Sequence, residues 1–189
     1  VDITKFKATN LERFKLENIQ SRKIKIGWVG NSEFTDSEGD SDLKGVRKII
    51  KPALEELINE GYSIEIKFAD RKEGYIPHDK MPEYYNSIDV YICASKNEGT
   101  PNPVLEAMAS GVPIISTNVG IVRDAFGEKQ KEFILEERSK QALKDKIIAL
   151  LKEKELFEEL SKENLEKIKQ WTWEEKCKQF KDFFERNLK

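Results

Sequence analysis

Apolar and polar residues alternate along the chain with two different periods, and these periods predict strands separated by helices. Mostly apolar runs cover residues 23–30 (KIKIGWVG), 89–94 and 112–117, and residues 62–69 alternate apolar with polar positions; both patterns are typical of strands. A weaker run over residues 131–135 predicts a fifth strand. Strands separated by helices form parallel sheets through right-handed crossovers. We therefore expect an α/β fold with a doubly wound, Rossmann-like parallel sheet.

Helical periodicity fills the segments between the strand-like runs. Apolar residues recur every three or four positions over residues 43–58, which predicts an amphipathic helix that Asp42 caps at its start and Gly61 at its end. The segment MPEYYNSI, residues 81–88, predicts a short helix. A helical pattern also begins at Ser139, and two further helices follow it. Each of the first three of these helical segments follows a predicted strand.

Composition excludes several classes of protein. The 189 residues are 38% hydrophobic and 36% charged, which suits one globular domain. The net charge of −2 argues against a general electrostatic attraction to nucleic acid. No apolar run is long enough to cross a bilayer and no signal peptide is recognisable, so we expect a cytoplasmic protein whose membrane association is at most peripheral. Cys93 and Cys177 lie far apart, which predicts reduced, packed thiols.

The segment from Ser95 to Gly111 (SKNEGTPNPVLEAMASG) carries the most chemistry. It follows one predicted strand and precedes another, with a helix between them. Asn102 suits the N-cap of that helix and Pro103 its first position. Free N–H groups at the helix start would then face the carboxyl edge of the sheet, where phosphate binds. Glu98 is predicted to project from the loop, and Glu106 from the helix.

This segment resembles a motif of the GT-B glycosyltransferases, specifically the large retaining family numbered four. That motif places E-x7-E within EGxxxxxLEAMAxGxPVI, and the match here runs from Glu98 to Ile114. Residues 89–92 (DVYI), Gly30 and the pair Lys44-Gly45 also fit the family, and the opening VDITKF is similar to its interdomain hinge. The resemblance spans nearly all of the chain but only the C-terminal half of a family enzyme.

The resemblance implies a domain organisation. Residues 1–22 would form an interdomain hinge or lead-in, residues 23–170 the domain that binds the donor nucleotide sugar, and residues 171–189 a helix that reaches toward an N-terminal lobe. Because the chain begins with Val1, we expect a fragment of a longer protein. An acceptor glycan or lipid-linked glycan would be held mainly by that missing lobe, so the fragment alone is expected to be inactive.

The closing segment adds an expectation from its own pattern. Four apolar residues recur at helical spacing, and Phe183 widens their stripe; the four are Trp173, Cys177, Phe180 and Phe184. We expect part of this face to be exposed or self-associating. The alternative is that the stripe packs wholly on its own domain.

The resemblance also implies roles for individual residues. Glu106 would accept hydrogen bonds from the ribose hydroxyls, a role that suits a carboxylate. Glu98 would lie near the donor sugar, and Lys44 would bind the diphosphate; these two are the predicted catalytic residues. Lys44 falls in the first turn of the predicted helix, where a cation is unfavourable unless an anion binds. The other predicted donor-binding residues are Gly30, Asn31, Arg71, Ile76, Gly99, Thr100, Pro101, Asn102 and Val104.

One position departs from the family pattern. Family members usually have an arginine directly after the first-strand glycine, and here that residue is Asn31. The diphosphate would then lack one neutralising charge, which implies a different donor, weaker binding, or compensation by Arg71 or Lys72. His78 lies in the loop where the family tends to hold the base by backbone contacts. A ligand contact for His78 is an open candidate, with no contact as the favoured alternative.

A metal site is not expected. Four acidic residues lie between Thr35 and Asp42, but an EF-hand needs Gly at its sixth position and Glu at its twelfth. Counted from Asp36, those positions hold Ser41 and Arg47. The resemblance likewise implies no cofactor and no required metal, because GT-B enzymes use helix dipoles and cations to stabilise the leaving group. The resemblance implies that a nucleotide-diphosphate sugar is the substrate.

With the family resemblance, these observations imply the donor-binding domain of a retaining glycosyltransferase that moves a sugar from a nucleotide diphosphate, for example UDP, to an acceptor hydroxyl. The family resemblance places such an enzyme in bacterial polysaccharide or glycoconjugate biosynthesis. Two alternatives stay open: a non-catalytic nucleotide-binding or assembly module, and a glycoside hydrolase that uses Glu98 and Glu106. Against the hydrolase, Glu106 would sit beside phosphate-binding amides, which suit an ionised acceptor better than a proton donor.

Overall fold

The computed structural model describes residues 1–34 and 42–188, and its centre is a five-stranded sheet. Neighbouring strands are all parallel, in the order β2-β1-β3-β4-β5. The strands are β1 (Ile24–Gly30), β2 (Ile64–Asp70), β3 (Val90–Cys93), β4 (Ile114–Thr117) and β5 (Ile134–Leu135). The predicted Rossmann-like α/β fold is confirmed.

Helices connect the strands and close the chain. In chain order they are α1 (Leu16–Ile19), α2 (Lys51–Asn59), α3 (Met81–Asn86), α4 (Asn102–Ala109), α5 (Val122–Ala125), α6 (Glu128–Lys131), α7 (Lys140–Lys152), α8 (Leu156–Lys167) and α9 (Trp173–Asn187). A π-helical turn, Val46–Ile50, leads into α2. Short 3-10 helices span Glu12–Phe14 and Ile168–Trp171.

The sheet has a hydrophobic layer on each face. In β3, Val90 and Ile92 belong to one layer, whereas Tyr91 and Cys93 belong to the other, because successive strand residues point to opposite faces. The first layer packs against α2, α7 and α8, and the second against α3, α4 and α5. Burial on both faces explains why β1, β3 and β4 are mostly apolar, whereas the edge strand β2 is only partly buried and alternates apolar with polar residues.

The predicted fifth strand over residues 131–135 is wrong in its first half. Residues up to Lys131 belong to α6, and β5 has only two residues. The carboxylate of Glu163, on α8, accepts hydrogen bonds from the N–H groups of Lys129 and Gln130, at 3.2 and 2.8 Å. This contact satisfies free donors at the start of α6 from a distant part of the chain, so the local sequence does not reveal it.

The helix predicted over residues 43–58 begins later than expected. Gly45 has φ of +72°, in the left-handed region, and regular turns start only at Val46. The prediction that Lys44 lies in the first helical turn is therefore wrong: Lys44 precedes the helix. The carboxylate of Asp42 accepts hydrogen bonds from two backbone N–H groups of the π-helical turn, at 3.1 and 2.7 Å, and so acts as the predicted cap.

The aromatic stripe of α9 is exposed. Trp173 and Phe180 are each 63% exposed, and α9 has no buried residue. The prediction of an exposed face is confirmed, and the alternative that the stripe packs wholly on this domain is wrong. Cys177 lies on the same helix and is exposed, so the prediction that it is a packed residue is also wrong; Cys93 is buried as predicted. Within residues 1–34 and 42–188, no helix has the length and apolar character needed to cross a membrane.

Candidate functional site

Two neighbouring cavities open beyond the carboxyl ends of the strands, and we name them the large and the small cavity. The large cavity, of about 400 Å³, is lined by seven of the predicted donor-binding residues: Gly30, Asn31, Lys44, Arg71, Ile76, Asn102 and Glu106. The small cavity, of about 220 Å³, is lined by five: Lys44, Glu98, Thr100, Pro101 and Asn102. Lys44 and Asn102 line both cavities, so the fold brings most of the predicted site together.

Two predicted residues lie outside these linings. Val104 is fully buried, and its side chain belongs to the hydrophobic layer under α4. Gly99 is exposed, and its carbonyl oxygen accepts a hydrogen bond from the N–H of Ile121, 3.2 Å away. Gly99 thus anchors the loop that carries Glu98, while Val104 packs α4 onto the sheet. Both residues therefore support the site through its backbone and packing and do not line either cavity.

Lys44 and Glu98 form an ion pair at the small cavity. Nζ of Lys44 lies 2.5 Å from Oε1 of Glu98, and the two side chains are 30% and 20% exposed. Partial burial reduces solvent screening, so this pair is stronger than an exposed surface pair. The residues are 54 positions apart in sequence, and the two were predicted separately, without a contact between them. The pair gives the small cavity one cation and one carboxylate in direct contact.

The turn that carries Lys44 is held against the end of β3. A Cβ atom at Gly45 would lie 2.5 Å from the carbonyl oxygen of Ala94, so only glycine allows this close approach. Arg138 fixes the same turn: its Nε donates to the carbonyl of Ala94 at 2.8 Å, and its Nη2 donates to that of Asp42 at 2.6 Å. The contact of Arg138 with this turn was not predictable from the sequence, because Arg138 lies far along the chain and outside any motif.

Glu106 is held by partners on both of its carboxylate oxygens. The hydroxyl of Tyr85, on α3, donates to Oε2 at 2.8 Å, and Nε2 of His78 lies 3.3 Å from Oε1. Nζ of Lys5 lies 2.8 Å from the other ring nitrogen of His78. Burial, followed by the nearby Tyr91 and Glu106, raises the pKa of Tyr85 well above its ordinary value. Tyr85 therefore stays protonated. Its contact with Glu106 was not predicted from the sequence.

The start of α4 offers fewer free N–H groups than predicted. Asn102 is the first helical residue rather than the N-cap, which is Pro101, and no side chain caps this helix. Pro103 has no N–H, and the N–H groups of Val104 and Leu105 point to the carbonyl of Pro101, at 2.9 and 3.4 Å. The prediction that Asn102 caps the helix is therefore wrong. Charged side chains are the stronger candidates for holding an anion here.

Asp70 joins the loops that follow β1 and β2. Its Oδ1 accepts hydrogen bonds from the N–H groups of Ser32 and Lys72, each at 3.1 Å. Burial opposes ionisation of Asp70, but the hydrogen bonds from Ser32 and Lys72 outweigh it and hold the pKa of the carboxyl group below its ordinary value. The N–H of Arg71 also donates to the carbonyl of Gly30 at 2.9 Å. These bonds fix the backbone on either side of the large cavity.

Arg71 and two aromatic residues complete the large cavity. The guanidinium of Arg71 lies 6.0 Å from the ring centre of Tyr75, and among the described residues it forms no ion pair. Tyr75 and Phe34 both line this cavity, and they are 67% and 54% exposed. The cavity therefore combines a cation with exposed ring faces, a combination that suits a phosphate and a planar base.

No metal centre is evident in the part of the chain that the structure describes. No group of three or more His, Cys, Asp or Glu side chains there could hold an ion. Most of the acidic loop between Thr35 and Asp42, residues 35–41, lies outside the described residues. The site chemistry available in the described residues is therefore one of carboxylates, amines and a guanidinium.

Solved structures with the same fold are glycosyltransferase domains. The C-terminal domain of a glycosyl transferase group 1 family protein (LpcC) from Francisella tularensis has a TM-score of 0.66 at 21% identity, covering 89% of this chain and 96% of that chain. The catalytic domain of starch synthase IV from Arabidopsis thaliana, bound to ADP and acarbose, has a TM-score of 0.66 at 14% identity, covering 93% of this chain and 41% of that chain. At these identities the likeness shows the fold, which is that of a C-terminal GT-B domain.

Curated relatives from two bacteria are similar to this chain in sequence. Protein CapJ of Staphylococcus aureus is 28% identical over 180 residues, covering 84% of this chain and 43% of CapJ. The putative teichuronic acid biosynthesis glycosyltransferase TuaC of Bacillus subtilis is 36% identical over 74 residues, covering 39% of this chain and 19% of TuaC. The chain thus spans less than half the length of these relatives. The model of the family "Glycosyl transferases group 1" matches residues 50–167, more than half of the chain, and the chain therefore belongs to that family.

Proposed function

We propose that this chain is the donor-binding lobe of a retaining glycosyltransferase. It binds a nucleotide-diphosphate sugar and, together with a second lobe that holds the acceptor, transfers the sugar to an acceptor hydroxyl. The observation that carries this proposal is the position of Lys44, which lines both cavities between two carboxylates. Glu106 lines the large cavity and Glu98 the small one. A cation between two acceptors matches a ligand whose two hydroxyl-bearing parts are joined by a diphosphate.

In this arrangement each part of the donor has its own contact. The base occupies the large cavity near Ile76 and Tyr75, and the ribose hydroxyls donate to Glu106. The diphosphate lies against Lys44, and the sugar extends toward Glu98 in the small cavity. A volume of about 400 Å³ for the large cavity is within the usual range for small-molecule sites. The backbone of residues 99–102 borders the sugar and the diphosphate.

Charge stabilisation is the chemical task of this lobe. Breaking the anomeric bond leaves negative charge on the diphosphate, and a cation fixed before the reaction stabilises that charge. Lys44 is so fixed, because Arg138 and Gly45 hold its turn against β3. Arg71 supplies the second positive charge that Asn31 lacks. Asn31 follows β1 and Arg71 follows β2, but both residues line the large cavity, so Arg71 can contact the same ligand.

The glycoside hydrolase alternative loses support. A retaining hydrolase needs two carboxyl groups about 5–5.5 Å apart on opposite sides of one bond. Glu98 and Glu106 line different cavities, and each has a protein partner on at least one oxygen. A non-catalytic nucleotide-binding module would use the same donor contacts. A sugar-transfer assay on a protein that contains both lobes distinguishes the two functions, because only the enzyme would transfer the sugar.

The wider role follows from the relatives. TuaC is described as a putative teichuronic acid biosynthesis glycosyltransferase, which supports a role in bacterial polysaccharide or glycoconjugate biosynthesis. We place the enzyme in the cytoplasm, with a glycan or lipid-linked glycan as acceptor and with no metal or cofactor required. Residues 1–22 would act as the hinge, and α9 would extend toward the second lobe. The chain alone should give no detectable transfer, because an unpositioned acceptor forfeits about 7–11 kcal/mol of barrier reduction.

Nucleotide binding tests the proposal directly. A thermal-shift screen with UDP, GDP, dTDP and ADP identifies the base, and calorimetry then measures its affinity for the wild type and for Glu106→Ala. We expect Glu106→Ala to weaken binding by about 1–3 kcal/mol, because it removes a charged acceptor of the ribose hydroxyls. Glu83→Ala is the control, since Glu83 is exposed on α3 and lines neither cavity. No response to any of the four nucleotides, or unchanged affinity in folded Glu106→Ala, would contradict the proposal.

A further inference from the structure

The two oxygens of Glu106 are held by partners of very different mobility. Oε2 accepts from the hydroxyl of Tyr85 at 2.8 Å, and Tyr85 is completely buried. Oε1 lies 3.3 Å from Nε2 of His78, whose side chain is 64% exposed. A buried partner has no alternative in water, whereas an exposed one exchanges readily. The Tyr85 contact is therefore the one that can set the orientation of the carboxylate.

Aromatic packing fixes the ring that carries this hydroxyl. Tyr85 makes edge-to-face contacts with Phe6, Tyr84 and Tyr91, at centroid distances of 6.0, 5.5 and 6.1 Å. Three such neighbours leave the ring no room to change rotamer. Burial raises the pKa of the hydroxyl, so it remains a donor throughout the working pH range. The hydrogen on Tyr85 thus points at Glu106 from a rigid support.

We propose that Tyr85 is a positioning residue that orients Glu106 for the ribose hydroxyls of the donor. The inference rests on the proposed function, which makes Glu106 the acceptor for those hydroxyls. An ionised carboxylate has about four lone-pair sites. Tyr85 occupies one of those on Oε2 and so sets the plane of the group, which leaves the remaining sites aimed at the ligand. Fixing the acceptor before binding lowers the entropic cost of forming the ribose contacts.

The contact between His78 and Oε1 of Glu106 is one that a ligand can replace. Nζ of Lys5 lies 2.8 Å from Nδ1 of His78, and an ammonium can only donate, so Nδ1 accepts and Nε2 carries the proton toward Glu106. The ring of His78 meets Phe6 edge-on at 5.4 Å. Because His78 is exposed and its contact is long, a ribose hydroxyl can take its place on Oε1. Tyr85 would stay bound to Oε2 throughout.

The test compares Tyr85→Phe with Tyr84→Phe. Tyr84 is the adjacent residue, and its hydroxyl donates to the backbone carbonyls of Lys67 and Trp28, at 2.6 and 3.1 Å, rather than to Glu106. The probes are the nucleoside diphosphate selected by the screen of UDP, GDP, dTDP and ADP, and its 2′,3′-dideoxy counterpart, which lacks the ribose hydroxyls. Calorimetry measures both affinities for each variant and for Tyr85→Phe in the Glu106→Ala background.

We expect Tyr85→Phe to weaken binding of the nucleoside diphosphate by about three- to tenfold and to leave the affinity for the dideoxy compound unchanged. Tyr84→Phe should bind both probes as the wild type does, and in the Glu106→Ala background the Tyr85 effect should disappear. Unchanged affinity in Tyr85→Phe, an equal loss on both probes, or a loss that persists without Glu106 would overturn the inference alone. If the wild type did not distinguish the two probes, the ribose assignment of Glu106 would fail, and the positioning role with it.

Discussion

Gly120 supports the loop that carries Glu98, although it lies outside the motif. It has φ of +51°, and a Cβ atom there would overlap the carbonyl oxygen of Gly99. The same atom would lie 2.7 Å from the carbonyl carbon of Gly99 and 2.9 Å from the carbonyl oxygen of Glu98. Backbone cannot swing aside as a flexible side chain can. Gly120→Ala must therefore displace the Glu98 loop or distort its own.

The expected cost has two parts. A non-glycine residue in the left-handed region loses about 1–2 kcal/mol. Forcing an extra methyl group into packed structure costs a further ~1–3 kcal/mol. We therefore expect Gly120→Ala to lower the free energy of unfolding by about 2–5 kcal/mol. Gly61 provides the matched control, because it has φ of +93° but a Cβ atom there would meet nothing within 4 Å. Gly61→Ala should show only the backbone part, about 1–2 kcal/mol.

Denaturant unfolding followed by circular dichroism measures both variants. Displacement of the loop also moves Glu98 away from Lys44, so calorimetry should show that Gly120→Ala loses more affinity for the nucleotide sugar than for the nucleoside diphosphate. Gly61→Ala should bind the nucleotide sugar and the nucleoside diphosphate with wild-type affinity. If the two variants were equally stable, the close approach of Gly120 to Gly99 would not be rigid, and the reasoning about this loop would be refuted.

Three further predictions concern separate parts of the molecule. Lys44→Ala should weaken binding of a nucleoside diphosphate by about 1–3 kcal/mol in calorimetry and leave binding of the free nucleoside unchanged, because in the proposed arrangement the phosphate is the part of this ligand that contacts the lysine; equal losses would contradict this. Asp89→Asn should lower the unfolding free energy by about 1.5–3 kcal/mol in urea titrations, since it weakens the charged hydrogen bonds between buried Asp89 and half-buried Arg22, whose N–O distances are 2.5 and 2.8 Å; a change below about 1 kcal/mol would argue against it. In a thiol-reagent assay at pH 8, exposed Cys177 should react at once and Cys93 only after unfolding, because burial raises the pKa of the Cys93 thiol and blocks access; rapid reaction of two thiols in folded protein would show an open core.

Local sequence was sufficient for the sheet and for the site segment. Four predicted strands correspond to β1–β4: β1, β3 and β4 are mostly apolar because both of their faces are buried, and the partly buried edge strand β2 alternates apolar with polar residues. The segment from Glu98 to Ile114 carries enough specific positions to identify the family, and the family match covers it. Alternation of strands and helices then places the loops after each strand at one edge of the sheet. The sequence thus predicted the edge of the sheet at which the two candidate cavities lie.

What only the tertiary structure decided is which residues touch one another in that site. The sequence placed Lys44 in a helix, but Gly45 packs against the Ala94 carbonyl in a left-handed conformation, and the helical turns begin only at Val46. The pairing of Lys44 with Glu98 spans 54 positions. The hydroxyl of Tyr85 reaches Glu106 across 21 positions. The periodicity of apolar residues indicates which face of a helix or strand is buried. Contacts between side chains far apart in sequence depend on how separate elements pack, and a local sequence pattern carries no information about that packing.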